Sequence, residues 1–382
     1  MLALFYQFSF YLLSTCCAFL YFCHRPRNCE STTSNTNHPN PLLGGADVIE
    51  YEAHKKLNKL HVKYLIAYSL ATLGDWLQGP YLYALYQEYG LDRGQIQSLF
   101  VAGFTASMVT GTFVGHLADK YGRRLNCCLY CVLYAACCLT KHSRNFSVLF
   151  VGRILGGIAT SILWSAFESW IVYQHTSLSK TVHPLHIEKY LKRIFANATV
   201  GNTLMAILAG LVSQYISDKY GMVATFDFAT LSLLLALFVI SLFWEENYGN
   251  QIATSSEQLN RCWNLLKSDS RILFLGLIQA CFEAGMYSFV LEWTPALEVS
   301  SFEDDGEGSF DFVEEKLPHG TVFSSFMVSI MMGTWFYSKW INQPSHGPIE
   351  RLLLFILMVS TARLKLKTEN TYHYVKDCLS PS

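Results

Sequence analysis

Stretches of about twenty residues with little or no charge recur along this 382-residue chain, and they constrain its fold more than any other feature. A helix needs about 20 mostly apolar residues to cross the roughly 30 Å hydrocarbon core of a bilayer. Nine stretches meet that description: 2–23, 64–86, 95–118, 125–140, 146–174, 194–217, 222–244, 272–294 and 320–338. Charged residues make up only 15% of the chain and hydrophobic ones 51%, where a soluble domain carries about 25% charged residues. The residues in deficit are those that cover a water-facing surface. An ordinary soluble enzyme, a nucleic-acid binder and a disordered chain are therefore excluded, and 28 basic against 29 acidic residues leave no excess charge to attract polyanions. The fold class that follows is all-α: a polytopic transmembrane helix bundle whose first partner is the lipid bilayer. Most of the twelve cysteines lie in apolar runs, and Cys128-x-x-Cys131 has no second pair to complete a metal site. No metal, cofactor or catalytic residue is expected.

Lysine and arginine set the orientation. With the N-terminus outside, the inner loops 24–63, 119–124, 175–193 and 245–271 carry 16 basic residues and the outer loops only 5. The outer loop 295–319 is strongly acidic. Segment 2–23 lacks a basic n-region and reads as an uncleaved helix rather than a signal peptide.

Ionisable residues inside a span are costly, so each is a candidate for function. Asp75 lies mid-span, with Gln78 and Gly79 on its face one turn on. It reads as a proton or cation site, as a partner of Arg153, or as a satisfied buried acid. Arg153 is the one Lys or Arg well inside a span. A guanidinium can grip a tetrahedral oxyanion with parallel donors, and it can equally pack against its own Gly156 and Gly157. Gln279 and Glu283, four apart, share one face of the eighth span. Residues 115–124 read Gly-His-Leu-Ala-Asp-Lys-Tyr-Gly-Arg-Arg. Gly115 and Gly122 permit tight helix ends, Asp119 can accept from a helix N-terminus, and Arg123 and Arg124 can pair with an acid elsewhere. Glu168 lies about 22 Å along the helix from Arg153 at 1.5 Å per residue, near the inner face, where it reads as a gate partner of Arg123 and Arg124 or as an interfacial acid in water. Asp119-Lys-Tyr-Gly122 recurs as Asp218-Lys-Tyr-Gly221.

The 115–124 segment resembles the signature loop of the major facilitator superfamily between core helices 2 and 3. Leu149-x-x-x-Arg153-x-x-Gly156-Gly157-x-Ala159 resembles its core helix 4 motif, with Gly156 in place of a more usual Gln. Asp75-Trp76-Leu77-Gln78-Gly79-Pro80-Tyr81-Leu82-Tyr83 and Ser165-Ala166-Phe167-Glu168-Ser169-Trp170, with the extra N-terminal helix, are similar to the molybdate-anion transporter branch. The resemblance implies a multi-pass carrier of the cell membrane that takes up molybdate or a similar oxyanion by alternating access, with a coupling ion not specified, no nucleic acid and no enzymatic activity. It implies an extra N-terminal transmembrane helix at 1–23, a cytoplasmic linker at 24–63 and a six-helix transporter half at 64–244. An inter-half cytoplasmic loop at 245–271, a partial second half at 272–340 and a divergent tail at 341–382 complete the expected order. A C-terminally truncated chain would have a second reading, as a non-transporting membrane protein that pairs with or regulates a full-length carrier.

Overall fold

The computed structural model describes residues 2–23, 45–178, 184–249, 255–303 and 317–341. Its helices are α1 (Leu2–Cys23), α2 (Gly45–Trp76), α3 (Leu82–Glu88), α4 (Arg93–Tyr121), α5 (Arg123–Leu139), α6 (Phe146–Leu178), α7 (Pro184–Tyr220), α8 (Met222–Phe243), α9 (Ser255–Ser268), α10 (Ser270–Glu303) and α11 (His319–Ile341), with a 3-10 turn at Thr140–His142. No strand occurs among the described residues. Six helical stretches within α4, α5, α6, α7, α8 and α10 are long and apolar enough to cross a membrane. The boundaries differ from the hydropathy reading in three places. α2 begins at Gly45, well inside the segment expected to be a linker. The first core span breaks into α2 and α3 around Leu77–Tyr81. The loop at 245–271 contains a helix of its own, α9.

Helices α2, α4, α5, α6, α7 and α8 pack as one bundle, with α6 against α4 and α5, and α8 against α2 and α5. Its interior is aromatic. Trp170 stacks on Trp244 at 3.7 Å, and Phe167 meets Tyr68, Tyr130 and Trp244 edge-on or tilted. Its outside is apolar too: Val101, Met108, Leu231, Leu234, Phe238 and Leu242 are all exposed. Helices apolar on every side belong in hydrocarbon rather than water.

Small residues fix the closest approaches. A Cβ on Gly157 would run into the carbonyl oxygen of Gly103, so α4 and α6 touch backbone to backbone. On the neighbouring face of α6, a Cβ on Gly152 would meet Thr140, and one on Gly156 would meet Cys137 at 3.0 Å. The two Asp-Lys-Tyr-Gly copies form the same junction. Gly122 (φ +113°) and Gly221 (φ +87°) each turn one long helix directly into the next, a backbone region that suits glycine.

Following the alternation of the helices, the start of α4 and the end of α7 lie at one end of the bundle, and residues 115–124 and 244–249 lie at the other. Helices α10 and α11 meet the bundle near the first end. Arg93 pairs with Glu292 at 2.5 Å, Phe104 meets Tyr287, and the ring of Tyr81 packs on His319. A Cβ on Gly320 would collide with the carbonyl of Gly210, so α11 starts against the backbone of α7. The rest of α10, from 271 to 282, is exposed. This compact unit ends at Val328, and Ser329–Ser382 form a second unit, within which Lys339 stands over the Trp335 ring.

Gly157→Leu should lower the thermal stability of the purified protein by about 1–3 kcal/mol through overpacking. Gly115→Ala, which meets only open space, should stay within about 0.5 kcal/mol of wild type; detergent melting curves compare the two.

Candidate functional site

The 115–124 segment is held by a strap that follows α8. The glutamate at the start of the strap's turn, Glu246, caps α5: its two carboxylate oxygens accept from the backbone N–H groups of Arg124 (2.8 Å) and Leu125 (3.1 Å). A carboxylate there satisfies donors that the first helical turn leaves without partners and faces the positive end of the helix dipole. Gly122 leaves room for it, since a Cβ there would overlap the Glu246 carboxylate at 2.5–2.8 Å. The strap's backbone completes the grip. Arg123 N–H donates to the Asn247 carbonyl, and Gly249 N–H donates to the Asp119 carbonyl, both at 3.0 Å. Trp170 donates its indole N–H to the Glu245 carbonyl at 2.8 Å.

The predicted gating residues fall around this strap as follows. Arg123 pairs with Asp119 one turn back at 2.7 Å and lies over the Tyr173 ring. Arg124 donates to the Ser241 carbonyl at 2.6 Å. Glu168 is exposed and makes no ion pair among the described residues. It forms no salt bridge with Arg123 or Arg124, which bind Asp119 and the Ser241 carbonyl instead. The reason is local: Arg123 is already satisfied by Asp119, and Glu246 holds the α5 terminus. Gly115 sits within α4 beside open space.

A second polar group lies inside the bundle where α2 breaks. Asp75 accepts a very short hydrogen bond from the Tyr134 hydroxyl of α5. Beside it, Tyr130 donates to the Ala71 carbonyl and Trp76 donates to Asn202 of α7 at 2.8 Å. Gln78 is buried and donates to the Gly74 carbonyl in its own chain segment. Gly79 lies against the Phe323 ring of α11. Backbone freed at a helix break, next to a buried carboxylate, is how bundle carriers build sites near the membrane centre. Gln279 and Glu283 hydrogen-bond to each other at 2.7 Å on α10. One turn on from Glu283, the Tyr287 ring of α10 packs on Phe104 of α4.

Arg153 does not pair with Asp75. Its Nε donates to the Leu99 carbonyl at 3.3 Å, its guanidinium lies over the Phe100 ring at 4.8 Å, and it occupies the space a side chain at Gly103 would fill. The Gly103–Gly157 seam thus leaves a slot on α4 that the guanidinium enters.

Two residues escaped the sequence reading. Glu246 lies more than 120 positions from the loop it caps, and its role shows only in three dimensions. Lys141 was counted among the basic residues of a loop, yet its side chain is fully buried beside Tyr86. No sequence signal separates it from Arg144, three residues away. Outside the spans, the ring of His61 stacks on His175. Burial, with His175 and Arg193 nearby, lowers the pKa of His61 to about 4, so that ring is neutral at physiological pH.

The apolar exterior, the glycine-packed helices, an acid at the α2 break and a guanidinium set between α4 and α6 define a polytopic membrane protein of major-facilitator architecture. Residues 43–376 match the family model described as sugar transporters with 12 transmembrane segments, and the chain belongs to that major facilitator family. The match continues through 341–376. The structure of that stretch beyond Ile341 lies outside the described residues. The chain is 35% identical over 295 residues to a molybdate-anion transporter of Xenopus tropicalis, covering 76% of this chain and 61% of that protein. It is also 35% identical over 332 residues to the molybdate-anion transporter of Danio rerio, covering 80% and 64%. It thus spans about three fifths of the length of these curated relatives. Among solved structures it resembles the nucleoside transporter NupG, with a TM-score of 0.58, 13% identity, and coverage of 74% of this chain and 69% of that one.

Removing the cap should cost more than removing the exposed acid. Glu246→Gln is expected to destabilise the purified protein by about 1–2 kcal/mol, and Glu168→Gln by less than about 0.5 kcal/mol, in paired melting curves. Equal losses would disprove the strap arrangement.

Proposed function

We propose that this chain is a secondary transporter that moves molybdate, or a closely similar oxyanion, across the cell membrane by alternating access. The observation that carries the reading is the likeness to molybdate-anion transporters over three quarters of the chain. It is joined to a guanidinium held within the bundle by one hydrogen bond, which leaves most of its five donors for a ligand. Asp75, Gln78, Arg153, Gln279 and Glu283 line the passage in this reading. Asp75, held by Tyr134, is the coupling or counter-charge site, and Arg153 is the anion ligand. A planar fork suits a tetrahedral oxyanion better than an ammonium does.

The strap at 244–249 closes over the signature loop at the face we assign to the cytoplasm, which leaves the N-terminus extracellular. The basic excess in the loops at that end supports the assignment. Gly115, Asp119, Gly122, Arg123 and Arg124 act as the gating element, with Glu246 as their acid partner in place of Glu168.

Cells expressing this chain should accumulate labelled molybdate above vector controls. Arg153→Lys should reduce that uptake by tenfold or more, on the order of the 1.4 kcal/mol that one lost charged hydrogen bond costs. Surface labelling should show unchanged abundance. Uptake in the lysine variant at the wild-type level would remove Arg153 from the passage.

A further inference from the structure

We propose that Lys141 is the second cation of an oxyanion site shared with Arg153 and completed by the Tyr86 hydroxyl. The proposal rests on the oxyanion-transport reading and adds a ligand that neither the motif nor the relatives assign.

The geometry begins at the crossing of α5 and α6. Gly152 and Gly156 present a smooth face to Thr140 and Cys137. Lys141 and Arg153 each directly follow a residue of the Thr140–Gly152 contact, one in the turn after α5 and the other on α6. Their charges lie close enough to repel. The 3-10 turn at Thr140–His142 aims Lys141 inward, and the hydroxyl of Tyr89 anchors that turn by donating to the Lys141 carbonyl. The ammonium stands 5.3 Å from the centre of the Tyr86 ring. Tyr86 meets Phe100 edge-on at 6.5 Å, and Arg153 covers Phe100 at 4.8 Å. Two cations thus bracket two adjoining rings.

Among the described residues neither cation is in an ion pair. The Lys141 side chain has zero exposure, and neither its Nζ nor the buried Tyr86 hydroxyl has a hydrogen-bond partner. The hydroxyl lies beside the ammonium without good bonding geometry. The Cys137 and Cys138 thiols at the end of α5 also act electrostatically on Lys141. Among the described residues no carboxylate pairs with Lys141 or Arg153, since Asp75 is held by Tyr134 and Glu292 by Arg93. A buried ammonium without a counter-charge is expensive. This ammonium, with the half-buried Arg153 guanidinium across the two rings and a tyrosine hydroxyl, matches the charge and acceptor oxygens of a divalent tetrahedral anion. Aromatic faces offset part of the cost while the site is empty.

The test measures binding of labelled molybdate to the full chain in lipid nanodiscs, with melting curves taken with and without molybdate, sulfate or chloride at matched ionic strength. Wild type should bind molybdate or sulfate and melt higher in its presence. Lys141→Met should weaken that binding at least tenfold, yet melt higher than wild type without anion, because the uncompensated charge is gone. A lysine with a purely structural role would instead melt lower in both conditions. Lys141→Arg should bind within threefold of wild type, and Tyr86→Phe should lose about fivefold. Normal binding by Lys141→Met overturns the site while leaving the transport reading intact if uptake still depends on Arg153. Should Lys141→Met fail to fold, unchanged affinity in Tyr86→Phe overturns it. Wild type that responds to chloride as strongly as to either oxyanion, or to none of the three, also overturns it.

Discussion

The backbone contact between Gly103 and Gly157 sets the position of almost everything polar in this bundle. Hydrocarbon gives helices no hydrophobic reason to associate, so close backbone approach supplies the packing energy. Once α4 and α6 touch there, the guanidinium of Arg153, one turn before Gly157, has only the slot over Gly103 and Phe100 to enter. The same helix turns Gly152 and Gly156 toward α5, which pulls the Thr140–His142 turn inward and Lys141 with it. A motif that reads as a string of glycines around one arginine is therefore a packing instruction whose by-product is a concentration of positive charge away from solvent.

The strap works by a different economy. Its residues lie at the end of the bundle where polar groups can reach water, so no single bond there needs to be strong. What matters is that the α5 N-terminus begins immediately after a positive-φ glycine, with no room for an ordinary capping side chain of its own. The donors of that first turn must be met from elsewhere, and Glu246 meets two of them while the strap's backbone takes Arg123 and Asp119. The motif's aspartate and arginine then satisfy each other, and no distant acid such as Glu168 is required.

Most of the architecture was legible in the sequence because lipid imposes a simple rule, that long uncharged stretches become helices. α4, α5, α6 and α8 appear within a few residues of where hydropathy puts them. The repeated Asp-Lys-Tyr-Gly was legible as an echo, and the two positive-φ junctions give it a shared geometry. The break between α2 and α3 was not read, because Gly79-Pro80 sits inside a run that is apolar on both sides. Pairings across long separations were not legible at all. Tyr134 with Asp75, Glu246 with the α5 terminus and Lys141 with Tyr86 each join residues that nothing local connects.

Charge counting illustrates the limit well. Lys141 and Arg144 add equally to a loop total, and that total correctly treats the loop as lightly basic. Arg144 lies over the Tyr89 ring at the rim, while Lys141 is sealed inside. The difference arises from a single 3-10 turn whose carbonyl is tied down by Tyr89, and from the absence of side chains at Gly152 and Gly156 that would otherwise hold α5 away. A residue's energetic role in lipid depends on which side of such a turn it faces. Composition sets the fold class, but the few positions where the backbone comes unusually close decide which charges the bundle must carry inside.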